Sequence, residues 1–175
     1  MFNTLTSIIS NLANVLEKIV KYIAMTVVII LLCTIFFQVA RRVITGKSYT
    51  EIEEFSIVMA AWLGFFAIAY ATRKKVHVRI DVFSKKLSFF SQKVLSIVIN
   101  AVTLYASIDL VGFGWKLMLK KAQIPLAILP TNAGWWYLAF PLGMACTSFF
   151  LLDQFLQEIQ NFKEPKSKIE DRGQA

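Results

Sequence analysis

One histidine, His77, and two cysteines, Cys33 and Cys146, leave little from which to build a metal centre. A single histidine excludes a haem held by two histidines of this chain. Both cysteines lie inside apolar runs, where cysteine behaves as a small buried hydrophobe. There is no disulfide framework and no metal-ligand spacing. Charge is scarce as well, at 17% of residues, where soluble domains carry about 25%. Acids are the scarcer sign, eleven against nineteen bases. A glycine-rich phosphate loop is missing, and so is a nucleophile with a base in reach. These absences argue against an enzyme. A pI near 9.6 would suggest nucleic acid only on a soluble fold with a basic face. No such fold is legible, so nucleic acid is not an expected partner.

What the chain has instead is apolar length. Hydrophobic residues make up 57% of its 175 positions, and the mean hydropathy is +0.59. Bases gather at the ends of uncharged runs, as in membrane proteins. The pattern predicts an all-α membrane protein with four transmembrane helices over about 22–40, 55–71, 94–115 and 133–152. Each run is long enough to cross a hydrocarbon core about 30 Å thick. Residues 1–21 do not read as a typical signal peptide, having no base before Lys18 and no small-x-small cleavage site. Apolar residues recur at helical spacing from Leu5 to Ile19, with Ser7, Asn11, Asn14 and Lys18 opposite. That spacing suits an amphipathic helix at the membrane surface over about 4–19, or the first part of one long, tilted span. A second interfacial helix is expected over about 81–92. Together residues 1–162 form the membrane domain, and 163–175 a polar, disordered cytoplasmic tail.

Orientation follows from the bases. The N-terminal segment, the second loop and the C-terminus hold thirteen, against six in the first and third loops. The positive-inside rule then puts both termini in the cytoplasm.

The stretch from Glu53 to Asp81 organises the chain. Glu53 and Glu54 head the second span, and Arg73, Lys74, Lys75, His77 and Arg79 close it. Ala60, Gly64, Ala67 and Ala71 recur on one helical stripe, which lets another helix approach closely. In the third span Asn100, Thr103 and Ser107 share a face able to hydrogen-bond across helices. Asp109 lies nearly opposite them. It is either an ion or proton site or one half of an intramembrane salt bridge, with Arg41, Arg42 and Lys116 as candidate partners. His77 among cations reads as a headgroup or partner contact. Trp135, Trp136 and Tyr137 open the fourth span as an aromatic belt, and Pro141 and Gly143 are expected to kink it.

Those residues carry a resemblance. The acid pair Glu53-Glu54, the Gly- and Ala-rich helix with Trp62, then Arg73-Lys74 and His77-Val78-x-Ile80-Asp81 resemble the small four-span subunit (DctQ-like) of tripartite ATP-independent periplasmic, or TRAP, transporters. The likeness covers roughly residues 15 to 160. One departure is that Glu51-Ile52 stands where the family often has a tryptophan. The resemblance implies a bacterial inner-membrane protein. Its partners would be a large multi-span subunit and, transiently, a periplasmic substrate-binding protein. It would scaffold the large subunit, with sodium coupling and the site for an organic acid on other chains and no cofactor on this one. Four-carbon dicarboxylates, sialic acid and similar carboxylates all fit. Ala60, Gly64, Ala67, Ala71 and Trp62, or Asn100, Thr103 and Ser107, would then meet the large subunit. Arg41, Arg42, Glu53, Glu54, Lys116, Lys120 and Lys121 would help dock the binding protein. The reading from a different class is a self-sufficient, homo-oligomeric small transporter or channel that uses Asp109.

Overall fold

A computed structural model describes residues 2–47, 49–74, 89–125 and 132–163. Among them are four helices: α1 (Phe2–Thr45), α2 (Thr50–Arg73), α3 (Phe89–Lys121) and α4 (Gly134–Lys163). All four are long and apolar enough to cross a membrane, and the expected all-α membrane architecture is what is found. The one non-helical pairing among the described residues is an isolated bridge between Pro125 and Asn132.

The helices outrun the expected spans. No break separates residues 4–19 from 22–40; α1 is one helix of 44 residues, about 66 Å at 1.5 Å per residue. The expected loop at 41–54 shrinks to four residues, because α1 runs on through Arg41 and Arg42 and α2 begins at Thr50. Gly46 makes the turn. It sits at φ 66° and donates its N–H to the Arg42 carbonyl at 3.0 Å, a left-handed helix stop that glycine adopts without a Cβ clash. Glu51 and Glu53 fall in the first turn of α2, where carboxylates face the positive end of the helix dipole. α3 starts at Phe89, inside the expected second surface helix, and residues 81–88 lie outside the described ones. α4 continues past residue 152 to Lys163, so of the expected tail only 163 is described, as helix.

Packing follows membrane logic, in which lipid is as apolar as leucine and small or polar residues turn inward. The core is Ala13, Val20, Phe66, Ala69 and Phe150, with Leu16, Ala24, Trp62, Tyr70, Cys146 and Phe149 against it. The apolar strip of α1 does the opposite of what it would do in water: Ile8, Leu12, Val15 and Ile19 are all exposed. α3 and α4 pair closely. A Cβ on Gly114 would lie 2.6 Å from the Phe140 ring, and Ser148 donates to the Ser107 hydroxyl at 3.0 Å. Threonines inside the spans bond back to their own helix, Thr26 to the Tyr22 carbonyl and Thr34 to that of Ile30, which removes their polar demand within the bilayer.

Candidate functional site: an arginine clasp joining three helices

The chemistry-bearing residues converge where α2 ends. Arg73, in its last turn, lies between α1 and α4 with a side chain only 11% exposed. Its planar fork of five donors meets three acceptors. Nε donates to Glu17 Oε2 at 3.2 Å, Nη1 to Asp153 Oδ2 at 2.5 Å, and Nη2 to Asn14 Oδ1 at 2.6 Å. Asn14 and Glu17 come from one turn of α1, and Asp153 from α4. Lys74 adds a second cation on Glu17 Oε1. Two bases thus face two carboxylates, and the cluster is neutral overall.

The surroundings are low in water. Asp153 is fully buried, and the Phe150 ring lies 5.9 Å from the Arg73 guanidinium carbon. Charges there are tolerated only when paired and hydrogen-bonded. Gln157 supplies a further donor to Asp153 Oδ2 at 2.9 Å, while Oδ1 has no partner among the described residues. Gln154 donates to the Thr72 carbonyl at 2.6 Å, satisfying one of the carbonyls that a helix end leaves open. One turn and a half further on, Gln160 reaches Thr6 of α1 at 3.0 Å. Lys74 is different, being half exposed. The hydrogen bond and charge of Glu17 hold its ammonium above the usual lysine range. An exposed pair adds little stability, so Lys74→Ala is expected to melt with the parent chain. A large fall in thermal stability would mean that Lys74, not Arg73, is the tie.

Several expected site residues lie elsewhere. Glu53 and Glu54, half-buried, stand at the opposite end of α2 from Arg73, and His77 and Asp81 lie outside the described residues. Ala60, Gly64 and Ala67 face outward and Ala71 is half-buried; nothing lies within 4 Å of a Cβ built on Gly64. Trp62 instead turns into the chain. It packs on the core and donates its indole N–H to the Trp135 carbonyl at 3.2 Å. Ser107 is buried against α4 and Thr103 bonds back to Ile99, so the polar face of α3 is largely spent internally, leaving Asn100 half-buried. The expected salt bridge of Asp109 does not form. Asp109 is exposed and has no ion pair with Arg41, Arg42, Lys116 or any other described residue. Arg41 instead donates to the Tyr49 hydroxyl at 2.6 Å. Among the described residues, no group of three or more His, Cys, Asp or Glu could hold a metal ion.

A family model described as "Tripartite ATP-independent periplasmic transporters, DctQ component" matches residues 30–161, most of the chain. The chain belongs to the DctQ family. It is also similar to a Haemophilus influenzae protein named "Putative TRAP transporter small permease protein", at 24% identity over 157 residues, covering 90% of this chain and 93% of that one. DctQ membership implies a multi-pass membrane protein that works in transport rather than catalysis, in complex with a large membrane subunit and a binding protein. Arg73, Lys74 and Asp153 of the clasp all lie within the stretch that matches the DctQ model, whereas Asn14 and Glu17 precede it.

Proposed function

We propose that this chain is the scaffold of a sodium-driven, binding-protein-dependent TRAP transporter for organic acids. It grips the large transport subunit and does not itself bind substrate. Sodium coupling belongs to the large subunit, and no cofactor belongs to this chain. Both termini face the cytoplasm of a bacterium whose inner membrane holds the complex, which puts the Arg73 clasp on the inner side. The observation that carries this reading is the two-sidedness of α2. One face is locked to α1 and α4 through Arg73, Ala69 and Phe66. The opposite face, Ala60, Gly64 and Ala67, is small and uncovered. A rigid body with a free close-packing face suits a part that another subunit moves against.

Substitution of Gly64 tests it. A Cβ on Gly64 meets nothing within 4 Å and the position is exposed, so the isolated Gly64→Leu subunit is expected to melt normally. Co-purification with the large subunit, and organic-acid uptake by cells, are expected to fall severalfold. Full recovery of the complex would rule out this face. The self-sufficient transporter reading predicts instead flux through liposomes holding this chain alone, abolished by Asp109→Asn. The exposed position of Asp109 on α3, away from the interhelical core, favours the scaffold.

A further inference from the structure

α1 and α2 are fastened together at both ends, and between them a groove opens on the side of the connecting turn. At the inner end Arg73 holds Asn14 and Glu17. At the other the short turn joins them, and Arg41 braces Tyr49, its guanidinium carbon 3.9 Å from the ring centroid. Below that brace lies an open groove of about 490 Å³ lined by Cys33, Thr34, Phe37, Glu51, Ile52 and Phe55. Both walls belong to helices apolar enough to cross a membrane, so the groove faces hydrocarbon along most of its length. Thr34 adds no polar demand, because its hydroxyl is already bonded to the Ile30 carbonyl at 2.7 Å.

The mouth is polar and carries both signs. Glu51 is exposed and has no ion pair among the described residues. Arg41 stands one turn beyond Phe37, on the same side of α1. Its bond to Tyr49 uses one of five N–H donors, leaving others for an oxyanion. An apolar slot ending in one cation and one carboxylate complements a molecule with a hydrocarbon tail, a phosphate and an ammonium. We propose that this groove holds one acyl chain of a phospholipid with a primary-amine zwitterionic headgroup, its phosphate on Arg41 and its ammonium on Glu51. A choline headgroup has no N–H to give Glu51, and a glycerol headgroup has no cation. The site therefore selects phosphatidylethanolamine. A side chain of a partner helix is the competing occupant, but it would not need both signs at the mouth.

The test uses the full chain in lipid nanodiscs and native mass spectrometry. Phosphatidylethanolamine, phosphatidylcholine and phosphatidylglycerol of matched chain length are compared. One phosphatidylethanolamine is expected to stay bound per chain, about tenfold more tightly than the other two, the scale of one charge-assisted contact. Glu51→Gln, a change at an exposed side chain, is expected to erase the headgroup preference. Cys33→Trp fills the groove and is expected to abolish retention of all three lipids. Equal retention of the three headgroups by the parent chain would overturn the proposal, and so would unchanged retention in Cys33→Trp. Adding the large subunit supplies a further arm. Loss of the lipid there, with cross-links from Phe37 or Phe55 to protein, would make the groove a protein interface and overturn the lipid assignment.

Discussion

Asp153→Ala is expected to destabilise the folded chain by about 3 kcal/mol, the lower end of what is lost when one partner is stripped from a buried ion pair. The side chain is fully buried, so the loss is not softened by water. Arg73 would be left with Glu17 and Asn14 as acceptors, which is why the lower end applies, and Gln157 would lose its acceptor. Arg73→Ala is expected to cost more, because it strands Asp153 while removing the link to α1. Replacing both together, as Arg73→Met with Asp153→Leu, is expected to restore much of the loss. A matched apolar pair can equal a buried ionic one. Thermal unfolding of the parent, Arg73→Met, Asp153→Leu and the double variant in one detergent gives the four corners of a cycle. If Asp153→Ala melts with the parent, or the double change is worse than the sum of the singles, the clasp does not hold the helices together.

Gly143→Ala should be the most damaging alanine substitution among the described glycines, costing about 1–3 kcal/mol as overpacking does. A Cβ at that position would stand 2.5 Å from Phe65 Cβ and 3.1 Å from its carbonyl carbon and oxygen. These atoms are backbone or directly attached to it, so no side-chain rotation relieves the clash, and α2 and α4 must move apart. Gly114 is less constrained, because its neighbours are the Phe140 ring and the Pro141 ring. Gly64→Ala meets nothing and serves as the matched control in the same membrane environment. Parent-like melting of Gly143→Ala would mean that the α2–α4 contact yields easily and that the clasp alone sets their spacing.

The four helices and the family were readable from residue order because both signals are local along the chain. Uncharged length marks a span, and the DctQ-like residues from Glu53 to Lys74 follow one another within one helix and its ends. The clasp was not readable, because it depends on register between helices. Arg73 looked like one more base in a positive-inside cluster. Asp153 falls just past the expected end of the fourth span at 152, and Glu17 lies within the amphipathic stretch of the first 21 residues, so neither stands out by position. The neighbours of Glu17 on the inward side of α1, Ala13 and Val20, gave the available hint. In a membrane helix the small and polar side marks the protein interior, and a carboxylate on that side needs a cation from another helix. Asp109 failed as a predicted partner. Lys116 shares its face of α3 but stands about two turns further along the helix, and Asp109 is exposed with no ion pair to Arg41. The extension of α1 as one piece is one of the two readings the sequence allows, and the sequence does not choose between them because an amphipathic segment and a spanning segment share the same helical period.

The sequence positions of the clasp impose an order on biosynthesis. Arg73 finds Asn14 and Glu17 56 to 59 residues earlier, so these contacts become available as soon as the first hairpin has left the ribosome. Asp153 follows Arg73 by 80 residues and arrives last. The fourth helix thus brings its carboxylate to a guanidinium already placed by the first two, and the clasp closes only once α4 has been made.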